Sequence, residues 1–523
     1  MKFAIHLLTF LSLLFYVILL LKEELHMMQL NSYFNERYAK WLKENVRGRY
    51  DKVKLLVLAT IVVFYFYPHA VTHIIILAAA VLGAIVLLRK KSKKKLDFTP
   101  RATRLFIVEI VLVLIALAAA YFTVSAMYFY AVLFIAIAVS FAIIIVANVL
   151  IKPVEQMINR GYVNDAKRIV ASRSDLIKIG ITGSYGKTSV KHFLHAILSE
   201  KYNTLMTPGS YNTTLGVVRT VREYLQPVHE VFIIEMGAKK IGDIKEICDI
   251  AHPKYGIITA IGPQHLETFG SIDNVRKGKF ELIESLPEDG IGLINGDDLD
   301  KNNLPAPVNA RIVTFSADGN TQYRAADVAY KGMGMHFDVY KDDTKMLSLQ
   351  TRLLGEHNVS NLVACCAVAL ELGVETYLIE KAIKQIEAVN HRLEVSRLAN
   401  GVTIIDDAFN SNPVGSRKAV EALKRFEGNQ KIIITPGMIE LGAKEYELNY
   451  EFGQHIARNC DLVFLVGVTR TKPIQEGLKS LNFPEEKLYV CKNLQEANDK
   501  VKTLMKTGDV VLYENDLPDT FNE

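Results

Sequence analysis

This chain has little excess of charge of either sign. Its 523 residues carry 61 Lys and Arg against 56 Asp and Glu, a net charge of +5. Proteins that grip nucleic acid do so largely through a basic excess facing the phosphates. No such excess exists, so nucleic acid is not an expected partner. Cysteine is sparse too. The five residues Cys248, Cys365, Cys366, Cys460 and Cys491 contain no C-x-x-C spacing. That argues against a zinc site and supplies no disulfide framework. They read as reduced core residues of a cytosolic domain. A third absence is a single glycine. The strict P-loop pattern needs one five positions before Gly186, and Ile181 stands there.

What is present around that gap is Thr182-Gly-Ser-Tyr-Gly-Lys-Thr-Ser189, after an apolar run from Leu176 and before a helical pattern from Val190 to Leu198. Strand, glycine loop, lysine and helix form the layout of a nucleotide phosphate cradle. Gly183 and Gly186 let the backbone bend around Ser184 and Tyr185 and present bare N–H groups. The helix N-terminus adds partial positive charge and Lys187 a full one. Thr188 or Ser189 offers a hydroxyl to Mg2+. The motif alone means the phosphates of ATP or GTP, or else a glycine-rich turn that binds nothing.

Hydrophobic residues are concentrated before residue 150. Phe3 to Leu21 is apolar and long enough to span a bilayer. No small-residue cleavage site follows it, and further apolar stretches come later, so a signal peptide is the weaker reading. Leu55 to Leu88 is apolar apart from breaks near Pro68-His69 and Thr72-His73. It reads as two short spans with a tight turn, or as one long kinked helix. Leu105 to Phe122 and Met127 to Leu150 are two more spans. The basic run Arg89 to Lys95 and the segment Lys22 to Lys54 belong on the cytoplasmic side. Five spans with the N-terminus outside satisfy both loops and leave the rest of the chain in the cytoplasm, with ATP. The segment His26 to Leu42 either lies along the membrane surface or is a solvated connector helix. His69, His73 and Glu109 are the polar residues within the apolar stretches, few enough to favour anchoring over transport.

From about residue 175 short apolar strands alternate with helices, as in an α/β fold with a mostly parallel sheet covered on both faces. Residues 310–352 read as a small antiparallel insertion. A second alternating set begins after Arg392, with strands at Thr403 to Ile405, Lys431 to Thr435, Leu462 to Val466 and Val510 to Leu512. The expected organisation is therefore an α-helical membrane domain over 1–150, a connector over 151–175, a central domain over 176–390 and a C-terminal α/β domain over 391–523.

Glu235 ends the strand Phe232 to Glu235, and ligands gather at the carboxyl ends of parallel strands. An acidic residue there suits Mg2+, or is a solvated strand-end charge. His265 follows the next strand end and is an unusual Mg2+ ligand by type. Taken in order, the motifs resemble the Mur ligase family, and within it the UDP-N-acetylmuramoyl-tripeptide–D-alanyl-D-alanine ligase branch. The resemblance covers roughly 176–512. Thr182 to Ser189 is similar to the family's ATP loop. Ser210-Tyr-Asn-Thr-Thr-Leu-Gly216 resembles its substrate-side segment, which implies substrate contacts for Asn212 and Thr213. Glu235-Met-Gly-Ala238 and His265-Leu-Glu-Thr-Phe-Gly-Ser271 resemble segments whose Glu and His bind metal. Val275 to Glu281 resembles the segment with a carbamylated lysine, which by position is Lys279, Lys277 being the weaker candidate. Read without the family, Lys279 is a helix-surface lysine. Asn295-Gly-Asp-Asp298 and Gly355-Glu-His-Asn-Val-Ser-Asn361 resemble nucleotide-base segments, so Asn295, His357, Asn358 and Asn361 are implied ATP contacts. His391-Arg-Leu-Glu394 implies Arg392. Asp406-Asp-Ala-Phe-Asn-Ser-Asn-Pro413 is similar to D-D-S-Y-N-A-N-P and implies Asp407 for the nucleotide, Asn410 and Asn412 for substrate. Gly437-Met-Ile-Glu-Leu-Gly442 is similar to G-x-M-x-E-L-G.

The resemblance implies a P-loop-like ATPase domain in the centre and a Rossmann-like domain after it, with Lys187, His265 and Lys279 catalytic. Thr188, Glu235, His265 and carbamylated Lys279 would hold the metal. It implies an ATP- and Mg2+-dependent peptide ligase in the cytoplasmic membrane. It would act through an acyl phosphate on a cell-wall precursor, a UDP-linked or lipid-linked muramoyl peptide, with an amino acid or dipeptide as the amine. Other envelope-synthesis proteins are implied partners. A membrane scaffold that binds ATP without ligation is the rival. The sequence departs from the family in four places. Apolar spans stand where the UDP-sugar domain belongs. Asn449 replaces a histidine after E-L-G. Tyr513-Glu-Asn-Asp516 replaces a K-G-S-R-like turn. His391 replaces a glycine.

Overall fold

A computed structural model describes residues 2–49, 51–90, 95–121, 127–298, 304, 307–317, 319–331, 334–353, 355–408 and 412–516. These fall into two compact units, one within Met1–Arg160 and one within Gly161–Leu517.

The first unit is helical: α1 (Lys2–Leu30), α2 (Asn35–Arg49), α3 (Lys52–Phe66), α4 (Ala70–Arg89), α5 (Pro100–Tyr121), α6 (Met127–Ala138) and the first part of α7 (Ser140–Ala171). Four of them, Ala4–Leu30, Ala70–Arg89, Pro100–Tyr121 and Ser140–Ala171, are long and apolar enough to cross a membrane. The segment 55–88 forms two helices, broken at Tyr67–His69. The single span expected over 127–150 is instead α6 and α7, parted at Val139, and the connector expected over 151–175 is helical to Ala171. Leu13, Tyr16, Val17 and Leu20 of α1 share a core with Ile76, Ala79 and Ala80 of α4. Gly83 lets the two helices close. A Cβ there would lie 2.6 Å from the Tyr16 ring. Leu8, Ile74, Ile115 and Val149 point outward, an arrangement suited to lipid and costly in water.

Several polar groups inside this unit pair up. Tyr38 Oη donates to Glu24 Oε2 at 2.7 Å, Ser140 Oγ to Glu24 Oε1 at 3.1 Å, and Lys54 Nζ to Ser140 Oγ at 3.2 Å. Tyr38 is fully buried, so α2 packs on the bundle along that face, while Glu36, Ala39, Lys40 and Lys43 are exposed. Glu109 is fully buried with neither carboxyl oxygen hydrogen-bonded.

The second unit holds two sheets. The chain runs β1 (Ile177–Thr182), α8 (Lys187–Leu198), β2 (Thr204–Met206), α9 (Thr214–Glu223), β3 (Val231–Glu235), α10 (Asp243–Ala251), β4 (Tyr255–Ile258), α11 (Leu266–Phe269), α12 (Ile272–Glu284) and β5 (Ile291–Asn295). It continues with β6 (Arg311–Ser316), β7 (Tyr323–Lys331), β8 (Gly334–Lys341), β9 (Thr344–Thr351), α13 (Glu356–Glu371) and α14 (Thr376–Gln385). The strand order is β2-β3-β1-β4-β5-β6-β7-β8-β9. β6 joins β5 in parallel, and β7 joins β6 through Phe315–Tyr323 and Ser316–Arg324. The expected antiparallel segment is present as β7, β8 and β9, which pair antiparallel in that order, but it continues the central sheet through β6. The β1 pattern is buried on both faces because helices cover both, as parallel sheets require. α13 buries Val359, Leu362, Val363 and the adjacent Cys365 and Cys366 in the same core.

The C-terminal sheet contains β10 (Glu394–Arg397), β11 (Thr403–Asp407), α15 (Pro413–Arg425), β12 (Lys431–Thr435), α16 (Glu445–Asn459), β13 (Leu462–Val466), α17 (Lys472–Ser480), β14 (Leu488–Cys491), α18 (Leu494–Leu504) and β15 (Val510–Glu514). Its order is β10-β11-β15-β12-β13-β14, parallel except for the β10 edge. The four expected strands are present, with β10 and β14 added.

Candidate active site

β1 ends at Thr182 and α8 begins at Lys187, so the glycine loop sits at the carboxyl edge of the central sheet. Gly186 is the left-handed cap of α8, with φ 83°. Gly183 approaches β4 so closely that a Cβ would lie 2.1 Å from Thr259 Oγ1. Thr259 Oγ1 donates to the carbonyls of Thr182 and Tyr185, fastening the loop from beneath. Ser184 Oγ accepts from Gly262 N–H at 3.0 Å. Lys187 Nζ lies against the carbonyl oxygens of Gly183, at 2.5 Å, and Ser184, at 3.2 Å. Burial lowers its pKa to about 8.

Beside the loop, Glu235 is the meeting point. Its Oε1 accepts from Thr188 Oγ1 at 3.2 Å and from Asn212 Nδ2 at 3.1 Å. Its Oε2 lies 3.0 Å from Lys191 Nζ, within ion-pair reach, yet accepts no hydrogen bond of good geometry. Lys191 Nζ is aimed instead at Gly209 O, 2.5 Å away. Burial pushes the Glu235 carboxyl up, but Lys191 and Lys187 outweigh it and hold the group ionised. Sequence reasoning missed Lys191. Its only signal was its place four residues after Lys187, on the same helical face.

His265 caps α11 with φ 51°. Its Nδ1 lies 2.6 Å from Glu440 Oε2, across from the C-terminal domain. Burial lowers its pKa, partly offset by Glu440. Lys279 is 1% exposed and its Nζ has no hydrogen-bond partner, which corrects the helix-surface reading. The amine lies 5.8 Å from the Phe269 ring centroid. Burial and the charge of Lys187 drive its pKa well below that of an ordinary lysine. Burial thus favours the uncharged form of an amine that no hydrogen bond holds. Among the described residues no three His, Cys, Asp or Glu side chains converge as a metal site. Glu235 and His265 would therefore need Thr188, a modified Lys279 or phosphate oxygens to complete an oxygen-rich Mg2+ shell. The ionised Glu235 carboxylate and the Lys279 amine without a hydrogen-bond partner fit that requirement.

A cavity of about 450 Å3 adjoins the loop. Tyr185, Gly186 and Ser189 form one wall; Asn295, His357, Asn358 and Asn361 the second; Arg392, Asp407 and Asn412 the third. Asn295 Nδ2 donates to Thr259 O at 3.0 Å, and a Cβ on Gly186 would meet Asn361 Oδ1 at 2.7 Å. Burial lowers the His357 pKa to about 4, leaving a neutral ring. Arg392 is pushed down by burial and supported by Asp407. The Asp407 carboxyl is pushed up to about 7, by burial first and by the Glu514 charge second. Glu514 is fully buried and accepts from Ser416 Oγ at 2.7 Å and Thr435 Oγ1 at 2.6 Å.

The substrate-side residues separate. Asn212 reaches Glu235, whereas the Thr213 hydroxyl caps α9 by accepting from Gly216 N–H. Asn412 caps α15 through Val414 and Gly415 N–H groups while lining the cavity. Asn410 lies outside the described residues. Asn449, where a histidine was expected, binds the backbone of Met438 at both polar atoms and braces the 437–442 turn.

Residues 181–369 match the Mur ligase middle domain family, and 391–513 match the Mur ligase, glutamate ligase domain family. The UDP-N-acetylmuramoyl-tripeptide–D-alanyl-D-alanine ligase of Bacillus subtilis is 28% identical over 337 residues, 64% of this chain and 72% of that protein. The Escherichia coli protein of the same name is 32% identical over 292 residues, 55% of this chain and 64% of that protein. A crystal structure of MurF from Acinetobacter baumannii superposes with a TM-score of 0.61 at 26% identity, covering 68% of this chain and 76% of that one.

Proposed function

Because this chain belongs to the Mur ligase family, we propose that it is a membrane-anchored peptide ligase that uses ATP and Mg2+ to join an amine to a cell-envelope precursor carboxylate. The observation that carries this reading is the contact of Thr188 and Asn212 with the same Glu235 oxygen, beside a cavity walled by both domains. It brings phosphate loop, acidic strand end and substrate-side segment to one point.

The precursor carboxylate attacks the γ-phosphorus of ATP, and ADP leaves. The amine then attacks the acyl carbon of the resulting acyl phosphate, a C–N bond forms, inorganic phosphate leaves and the amine gives up a proton. Negative charge on the transferred oxygens changes in both steps, so fixed cations at the loop contribute most. Lys187, released from the carbonyls of Gly183 and Ser184, supplies one. Tyr185 and Gly186 offer their N–H groups to the phosphates, and Ser184, whose N–H donates to Ala260 O at 2.8 Å, holds the loop in shape beside them. Asn295, His357, Asn358, Asn361, Arg392 and Asp407 hold the nucleoside. Thr188, Glu235, His265 and Lys279 as a carbamate hold Mg2+, which supplies charge neutralisation at the phosphoryl oxygens. The low pKa of Lys279 leaves its amine free to add CO2 and lose a proton. Asn212, Thr213, Asn410 and Asn412 are the substrate contacts.

By likeness to the relatives, the carboxylate belongs to a muramoyl tripeptide and the amine to D-alanyl-D-alanine. The apolar helices favour a precursor presented at the membrane, with the catalytic domains in the cytoplasm. The test uses the full chain in lipid nanodiscs with ATP, Mg2+ and either a UDP-linked or a lipid-linked muramoyl tripeptide. ADP release should require the carboxylate, and hydroxylamine should trap the acyl phosphate as a hydroxamate. Lys187→Ala should abolish both. Carboxylate-independent ADP release, or none with any peptide carboxylate, rejects the ligase reading in favour of an ATP-binding scaffold.

A further inference from the structure

His265 and Glu440 belong to different domains, and both backbones are held in the left-handed region, φ 51° and φ 60°. For residues with a Cβ that conformation is sparsely populated and strained. What it achieves is a meeting of side chains. Glu440 Oε2 lies 2.6 Å from His265 Nδ1, and Oε1 lies 3.4 Å from Lys239 Nζ of the central domain. Around it the backbones also touch: Glu267 N–H points at Glu440 O, and a Cβ on Gly442 would sit 3.4 Å from Glu267 Cα. The Glu440 carboxylate thus accepts a hydrogen bond from Nδ1–H, which leaves the ring's lone pair on Nε2. That is the tautomer a metal-ligating histidine needs, and carboxylate partners of this type tune metal affinity.

We propose that Glu440 is a positioning residue that couples metal occupancy at His265 to docking of the C-terminal domain on the central domain. The proposal rests on His265 being a metal ligand, as in the function proposed above. A metal on Nε2 withdraws charge from the ring and strengthens the Nδ1–H to Glu440 bond. Docking of Glu440 makes Nε2 a better ligand. By linkage the two effects are equal in free energy. Metal held in one domain thereby favours the closed arrangement in which Arg392, Asp407 and Asn412 complete the nucleotide cavity.

The test needs no turnover. The full chain in nanodiscs, with a non-hydrolysable ATP analogue, is titrated with Mn2+ and followed by hydrogen exchange. In the wild type Mn2+ should slow exchange over 437–444 as well as 262–271. Glu440→Gln should weaken Mn2+ about 10–100-fold and remove the Mn2+ response of 437–444. Exchange in the β12 and β13 core reports whether the domain stays folded. If Glu440→Gln disturbs that core, His265→Gln breaks the pair from the other side and should also remove the response. In the double variant Mn2+ affinity should be no lower than in His265→Gln alone. Mn2+ affinity unchanged in Glu440→Gln, or a wild-type 437–444 segment indifferent to bound Mn2+, overturns the proposal. A wild type that binds no Mn2+ removes the metal site beneath it, while hydroxamate formation tests the ligase reading separately.

Discussion

Lys191 Nζ lies 3.0 Å from Glu235 Oε2, and both side chains are sealed from solvent, at 0% and 2% exposure. The ammonium also reaches Gly209 O, so one cation ties the acidic strand end to the 207–213 segment that carries Asn212. Removing it leaves a buried carboxylate with a lost partner. Lys191→Met should destabilise the second unit by about 3–5 kcal/mol, read as a lowered urea midpoint of central-domain unfolding. Pairing it with Glu235→Gln should cost less than the two single changes added.

Lys279 has a second signature, in pH. Its folded-state pKa is lowered by burial, so between that value and the ordinary lysine pKa the unfolded chain binds the extra proton. Stability then rises with pH across that window. Lys279→Met should abolish ligation, raise stability at pH 7, and lose that advantage as the pH approaches 10. Denaturant midpoints across pH 7–10 check the sign.

Asp407 runs the opposite way. Its carboxyl is raised to about 7, above its unfolded value, so the folded state holds the extra proton between roughly pH 4 and 7. The stability this confers is present below pH 4 and is lost as the pH rises through 7. Asp407→Asn should therefore be more stable than wild type at pH 8 and equal to it near pH 4, while binding nucleotide more weakly because Arg392 loses its counter-charge. Thermal midpoints and nucleotide titrations at the two pH values separate these effects.

Gly183→Ala places a methyl 2.1 Å from Thr259 Oγ1 on a backbone with φ 149°. Thr259 cannot withdraw without releasing the loop carbonyls it holds. Nucleotide affinity should fall at least tenfold, about 1.4 kcal/mol, with the fold retained by circular dichroism.

Gly83→Leu tests the helical unit by itself. The added side chain collides with Tyr16 at the α1–α4 contact. Overpacking of this kind costs about 1–3 kcal/mol, and a lower melting temperature in detergent should report it.

Much of the glycine loop's shape was legible because its residues act through local backbone geometry. Gly183, Gly186, Lys187 and Thr188 are adjacent in sequence, and a loop with bare N–H groups announces itself. Lys191 was not legible, since a lysine on an amphipathic helix reads as solvated until the next strand is placed beside it. Lys279 misled for the same reason. Glu440 was visible as part of a motif, but its partner is 175 positions away in sequence. The continuation of the central sheet through β6 and β7 was hidden because parallel pairing leaves no local mark. The break at Val139 has neither proline nor glycine, so nothing in the sequence flagged it.

The mixed pairing of the central sheet also has a consequence for the order in which it assembles. β7, β8 and β9 are joined by short reversals and can zip together while only that part of the chain is available. β1 lies between β3 and β4, and must wait for two helical crossovers before either neighbour exists. Local pairings form faster than distant ones. During refolding the far edge should therefore gain amide protection first and the nucleotide loop, which hangs from β1, last. Binding competence would then mark completion of the domain, an ordering that pulsed hydrogen-exchange labelling can resolve strand by strand.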